Sequence, residues 1–269
     1  MKKLIALCLC CLVVAGGAET LPAFDTVVPG TLTVATSPDF APYEFYAIDE
    51  NGTPKLAGFD VALVKYIADA LGLKLDLIPM DFDGVLAELA AGNVDLGVAG
   101  LSPDPKRMEA MAFSDIYYRG GQSFVTVKGK EGLFDSLQAT DSADFVIGAQ
   151  NGSIQLDLAK RFSPSADLIP LTKVTDIIAE LLGGKLDGAY IEKPVAESYA
   201  RNYPELAILF DVPYETEGSA VGVAKGNDGL LQAVNAAIQQ ALEDGSMDAF
   251  VAEANEPAAG ENYEGLLQN

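Results

Sequence analysis

The sequence predicts an α/β fold of two like lobes, each a mostly parallel sheet flanked by helices. Three observations predict it. Strand and helix signals alternate along the chain, a short internal echo occurs once in each half, and polar clusters follow the echoed strands.

Thr31–Ala35 is a short β-rich run. Phe59, Ala62, Leu63, Tyr66, Ile67, Ala70 and Leu71 then recur with the spacing of one helix face, and Gly72 stands where such a helix stops. Lys74–Ile78 alternates as a strand. Asp83 is placed to cap a helix running to Ala91, which Gly92 ends, and Val94–Ala99 reads as the next apolar strand. Repeated, this order builds a βαβ parallel sheet. In the second half Phe145–Ala149 reads as a strand, followed by a helix from Ser153 to Phe162. Leu230, Leu231, Val234, Ala237, Ile238 and Ala241 mark an amphipathic helix late in the chain.

The echo relates Leu89, Gly92, Val94, Asp95 and Val98 to Leu181, Gly184, Leu186, Asp187 and Tyr190. Each copy is a helix end, a glycine stop, an aspartate and a strand start. Gly100, Leu101, Ser102 and Pro103 follow the first copy, and Glu192, Lys193 and Pro194 the second. Open α/β sheets bind ligands beyond the carboxyl ends of their strands, so both clusters fall where a site belongs.

Composition narrows the function. The 269 residues include no histidine and no tryptophan, and the three cysteines, Cys8, Cys10 and Cys11, all lie near the start. Met1, Lys2 and Lys3, an apolar run from Leu4 to Val14 and the small residues Ala15 to Ala18 have the layout of a secretory signal peptide. The apolar run is short of the roughly 20 residues a membrane span requires. Residues 1–18 are therefore expected to be removed, with cleavage after Ala23 as the alternative. Leu7, Leu9 and Cys10 precede the cysteines, a poor setting for lipid attachment, so an unanchored protein is expected. After cleavage no thiol remains. Triads that need histidine or cysteine, and histidine or cysteine metal sites, are then excluded. A net charge of −22 argues against nucleic acid as a partner.

Four segments carry candidate chemistry. Asp104 suits the N-cap of a helix and Pro105 its first position, which puts Arg107 in the first turn. An arginine beside helix-terminal amides is a receptor for a carboxylate, whose two oxygens match its planar fork. The other reading is a solvated arginine paired with Asp104 or Glu109. Gly152 allows close backbone approach, and Ser153 caps the helix that follows. Glu192 is a counter-charge for an ammonium group, or else a surface carboxylate paired with Lys193. Phe40 and Phe82 fall in predicted loops after strands, as platforms for a ligand side chain or as core residues.

Taken together, the segments resemble family 3 of the bacterial extracellular solute-binding proteins, the polar amino-acid receptors of ABC importers. The likeness runs from about Gly30 to Met247. It is carried in order by Thr36 to Phe45, Gly58 to Val61, Asp81 to Gly84, Ala99 to Ser102 with Arg107, Phe113 to Tyr118, Ile147 to Gln155, and Glu192 to Ala196.

The resemblance implies a two-lobed periplasmic-binding-protein fold of type II with two chain crossings, near Gln122–Val127 and Gly218–Val223. Lobe I would comprise 30–122 and 220–269, and lobe II 123–219. A monomer in the periplasm or outside the cell would bind an amino acid between the lobes and deliver it to a membrane permease, without cofactor or catalysis. Arg107, Ser102 and the Ser153 amide beside Gly152 would hold the ligand α-carboxylate. Glu192, the Gly100 carbonyl and the Ser102 hydroxyl would hold its ammonium. Phe40 and Phe82 would clasp its side chain, with Ser37 and Gln155 near the outer end. Many relatives carry Tyr at Phe40, Thr at Asp104 and Asp at Glu192, and some receptors for basic amino acids carry an acid at Ser37. Two rivals share the scaffold: a cyclohexadienyl-dehydratase-like enzyme and the ligand-sensing partner of a membrane receptor.

Overall fold

The computed structural model describes residues 23–48, 51–215 and 218–256. The expected signal segment and the three cysteines lie outside them.

The chain begins with β1 (Thr31–Thr36), β2 (Asp39–Phe40), β3 (Glu44–Ile48) and β4 (Pro54–Ala57), then α1 (Phe59–Leu71), β5 (Lys74–Pro79), α2 (Phe82–Ala91), β6 (Leu96–Gly97), α3 (Pro105–Met108) and β7 (Met111–Tyr118). A second run follows: β8 (Gln122–Val127), β9 (Val146–Gln150), α4 (Ile154–Phe162), β10 (Asp167–Leu171), α5 (Val174–Leu182), β11 (Gly188–Glu192), α6 (Lys193–Asn202) and β12 (Leu206–Val212). The chain then returns through β13 (Ser219–Ala224), α7 (Asp228–Glu243) and α8 (Ser246–Asn255).

Two five-stranded sheets result, ordered β5-β1-β6-β13-β7 and β10-β9-β11-β8-β12. In each, four strands run one way and the fourth in the order, β13 or β8, runs against them. The first sheet takes β13 from beyond the second, so the chain passes between sheets twice. Both β8 and β13 lie wholly within their sheets, so the passages fall before them, at 119–121 and between β12 and β13. Strands β2, β3 and β4 form a small separate sheet.

The echo is a matching piece of construction. Its strands, β6 and β11, are each third in their sheet. Asp95 Oδ2 accepts from the Thr33 N–H at 2.8 Å, and Asp187 Oδ2 from the Val146 N–H at 3.0 Å. Each aspartate thus ties the start of its own strand to the parallel strand beside it, satisfying a backbone donor of that neighbour.

The glycine stops behave as read: Gly72 and Gly92 close α1 and α2 in the left-handed conformation. Three expectations need correction. Helix α2 starts at Phe82 with Asp81 at its N-cap, and Asp83 accepts instead from its neighbour Gly84 N–H at 3.0 Å. Only Leu96–Gly97 forms regular strand within the apolar run 94–99, although Asp95 and Val98 still donate to Thr33 and Ala35 of β1. Phe40 lies in a short strand and Phe82 in a helix; neither is in a loop.

The main core joins Leu32 and Val34 of β1 and Leu63 and Ile67 of α1 to Val234 and Ile238 of α7, all buried. It continues into Ile177, Ile178 and Leu181 of α5 and Val195 of α6. Burying each such side chain contributes about 1.5–3 kcal/mol, enough to fix both sheets as rigid supports for the loops at their carboxyl ends.

Candidate ligand-binding site

Between the carboxyl ends of the two sheets lies a tightly closed cavity of about 10 Å³, lined by Phe40, Phe82, Ala99, Gly100, Ser102, Arg107, Gln150, Ile154 and Gln155. Both halves of the chain contribute to its wall, as the strand-end rule requires.

Arg107 sits on the single turn α3. The Asp104 carboxylate is committed to capping that turn, accepting from the Lys106 and Arg107 N–H groups at 2.8 and 3.3 Å. The guanidinium donates to two neutral backbone carbonyls, Ser102 O at 3.1 Å and Gly152 O at 3.2 Å. Its carbon lies 5.5 Å from the centre of the Phe82 ring. Among the described residues no carboxylate forms an ion pair with it, so the pairing with Asp104 or Glu109 is not what forms. Burial lowers its pKa from the usual arginine value.

Gly100 has φ +54, and a Cβ there would stand 2.7 Å from the Phe40 ring. Only glycine fits that backbone and that approach. Its N–H donates to Asp60 Oδ2 at 3.0 Å, and Asp60 Oδ1 accepts from the Tyr117 hydroxyl at 2.7 Å. Asp60, buried in the first turn of α1, therefore holds the cavity floor in place. Burial pushes its carboxyl up to about 6.

On the other side, Gln155 is buried and donates through Nε2 to Gln122 Oε1 at 2.8 Å. Ser153 caps α4, accepting from the Leu156 N–H at 3.2 Å while its hydroxyl donates to Gln150 O at 2.7 Å. Its own amide also donates to Gln150 O, at 3.3 Å. Gly152 turns the chain at φ +72 and presents its carbonyl to Arg107.

Gly152 and Ser153 do not line the cavity, and the remaining two expected residues, Ser37 and Glu192, also lie off its wall. Ser37 is buried and donates to Asp39 Oδ1 at 3.0 Å, lining a separate space with Pro38, Lys173 and Asp176. Glu192, at the end of β11, is also buried, and its Oε1 accepts from the Tyr43 hydroxyl. Oε2 has no hydrogen-bond partner among the described residues. Burial pushes this carboxyl well above the usual range, against the Tyr43 hydrogen bond that lowers it. Lys193 pairs instead with Asp211 at 2.7 Å, so the reading of Glu192 as a surface carboxylate is not borne out. A Cβ at Gly120 would stand 2.2 Å from Glu192 Oε1, so the first crossing must be bare there.

Sequence reasoning missed Ala99, Gln150 and Ile154 in the wall, and Tyr43 and Asp60 behind it. Gln150 had a readable signal, since it ends β9. Tyr43 had none, because its partner lies 149 positions away.

The two halves touch at several points besides Arg107. Lys106 pairs with Asp157 at 3.2 Å, Asn151 donates to Asp83 Oδ2 at 3.2 Å, and Tyr43 meets Glu192. The cleft is closed in this structure.

Comparison with known proteins agrees with this geometry. The model for bacterial extracellular solute-binding proteins, family 3, matches residues 32–254. The arginine-binding extracellular protein ArtP of Bacillus subtilis is 30% identical over 223 residues, 81% of this chain and 83% of the relative. An amino acid ABC transporter substrate-binding protein of Streptococcus pneumoniae, solved bound to L-arginine, superposes with a TM-score of 0.82 at 33% identity, covering 86% of this chain and 97% of that one. A cyclohexadienyl dehydratase of Pseudomonas aeruginosa is also similar, 27% identical over 180 residues, 67% of this chain and 66% of the enzyme. Among the described residues no helix is long and apolar enough to cross a membrane. The chain belongs to family 3 of the bacterial extracellular solute-binding proteins.

Proposed function

We propose that this protein binds a polar amino acid between its two lobes and delivers it to the membrane permease of an ABC importer. The observation that carries this reading is the state of Arg107: a guanidinium on the cavity wall, held by two carbonyls and a ring face, with no anion paired to it among the described residues. A carboxylate is the partner such a fork lacks. The Streptococcus pneumoniae neighbour and the Bacillus subtilis relative support an amino acid as its bearer.

In this reading Arg107 and Ser102 hold the α-carboxylate near the turn of Gly152 and Ser153. The Gly100 carbonyl and Glu192 receive the ammonium, Glu192 by exchanging part of its bond to Tyr43. Phe40 and Phe82 enclose the side chain, and the amides of Gln150 and Gln155 meet its polar end. Ser37 stands behind Asp39 and acts on the pocket through it. The lobes are 30–122 with 220–269, and 123–219, divided where β8 and β13 begin. Residues 1–18, or as far as 23, direct export to the periplasm or the cell exterior, where the protein acts as a monomer without nucleic-acid partners.

A thermal-shift screen of the twenty amino acids plus ornithine, citrulline and cystine tests this, because a ligand that binds the folded state raises the melting temperature by mass action. L-arginine is the first candidate. No shift with any of them would overturn the proposal.

The enzyme reading has one observation in its favour beyond the Pseudomonas aeruginosa relative. Glu192 is buried with a raised pKa, as a general acid requires. We propose that it serves binding alone, so that incubation with prephenate or arogenate gives no aromatic product. Turnover would reverse that assignment.

A further inference from the structure

We propose that Asp39 is the residue that fastens the cleft shut: carried by the first half of the chain, it caps helix α5 of the second half, and this cap forms only when the lobes close. The proposal rests on the reading above, that the cleft takes up and releases an amino acid.

Helix α5 has no cap of its own. Its N-cap residue is Lys173, whose side chain makes no capping hydrogen bond. The first N–H groups of a helix have no partner within it and need one from elsewhere. For Val174, the first residue of α5, that partner is Asp39 Oδ2 at 2.5 Å, 135 positions earlier in the chain. Aspartate is among the best capping residues, and its charge suits the positive end of the helix dipole. Here it acts across the cleft.

Two further contacts converge on the same residue. The Tyr199 hydroxyl on α6 donates to the Asp39 carbonyl at 3.0 Å. Gln150 Nε2, at the end of β9, lies 3.5 Å from Oδ2 and 3.2 Å from Thr172 O. Three elements of the second half thus hold one residue of the first.

The position of this residue ties the fastening to the ligand. Phe40 is next in sequence and lines the cavity, and Gln150 lines it from the other side. A ligand that orders Phe40 and Gln150 therefore brings Asp39 to α5. Opening returns the Val174 N–H and the carboxylate to water. That difference in contacts between open and closed forms is what lets a ligand shift the population toward closure. Asp39 lines the separate space beside Ser37 and Lys173 and not the cavity between the lobes, so it is a positioning residue.

The test compares the full chain with D39A and D39N. Asparagine keeps a neutral oxygen acceptor and caps about as well as aspartate, whereas alanine removes the cap. Two measurements are made: amide hydrogen exchange at Val174 with L-arginine bound at saturation, and the dissociation rate of L-arginine by stopped flow. In D39A the Val174 amide should exchange about tenfold faster and L-arginine should leave about tenfold faster, in line with the loss of one cap. D39N should restore both to within about twofold of wild type. Equal exchange at Val174 in all three chains overturns the proposal, as does D39N releasing ligand as fast as D39A. If wild type does not bind L-arginine, the choice of that ligand fails, and the amino acid that raises the melting temperature most takes its place in both measurements.

Discussion

The two charged residues of the site are placed in opposite ways. Arg107 stands on the cavity wall, its charge met by the dipoles of Ser102 and Gly152 carbonyls and by the Phe82 ring. Glu192 stands behind the wall with one oxygen on Tyr43 and the other unpartnered among the described residues, and burial drives its carboxyl toward the neutral form. Carbonyl dipoles solvate a cation without cancelling its charge, so Arg107 is ready for an anion. A carboxylate buried beside one hydroxyl is better off protonated. The recognition of the two ligand ends is therefore unequal: one is preformed, and the other is completed by the ligand's own charge.

The largest effect that would break this contrast is at Arg107. R107A should weaken amino-acid binding at least about a hundredfold, since truncating one partner of a buried charge pair costs about 2–5 kcal/mol or more. It should stay folded, and calorimetry with circular dichroism checks both points. E192Q comes next. Glutamine resembles the protonated acid, so the ligand-free protein should melt at or above the wild-type temperature. Binding should fall about ten- to a hundredfold, because a hydrogen bond to a charged group is worth about 1.5–3 kcal/mol. A large loss of melting temperature in E192Q would mean that the buried group is ionised before the ligand arrives.

Y43F isolates the support behind Glu192. It removes the hydroxyl and leaves both carboxyl oxygens without a partner, at a cost of about 1–3 kcal/mol in stability. A thermal melt of the ligand-free protein should fall by several degrees.

The smallest effect is with pH, and it separates the acid side from the guanidinium side. Burial pushes the Asp39 carboxyl up to about 6, against the lowering effects of the Val174 N–H, Ser37 and Lys173. Glu44 and Tyr199 also face it. In the open cleft the carboxyl returns to the usual aspartate value near 3.9. An acid whose pKa rises on closing takes up a proton, so closure gains below about pH 6 and the gain is lost above it. The ratio of wild-type to D39N affinity should therefore rise by about tenfold between pH 7 and pH 5. Isothermal titration at both pH values reads it, and a flat ratio would contradict the assignment. Arg107 keeps its charge throughout this window and adds no slope.

The sequence made the grammar of the fold legible and left its cross-chain contacts hidden. Gly72 and Gly92 could be placed because a helix stop is local, and Arg107 because Asp104 and Pro105 fix the turn that carries it. The echo could be seen, but its purpose could not. It emerges only when Asp95 and Asp187 are found on the N–H groups of Thr33 and Val146. The placing of Ser37 illustrates the limit. It lies off the cavity wall, three residues before Phe40, and Asp39 takes its hydroxyl. The burial of Glu192 and the role of Asp39 depend on partners in the other half of the chain. No local spacing encodes such pairs.

The most direct test of the central claim uses the ligand's own chemistry. The amino acid that raises the melting temperature most is titrated calorimetrically into wild type and R107A, beside the amine formed by removing its carboxyl group. If Arg107 receives the α-carboxylate, wild type prefers the amino acid over the amine by at least about a hundredfold, and R107A scarcely distinguishes them. Equal binding of the two by wild type, or an undiminished preference in R107A, would contradict the account.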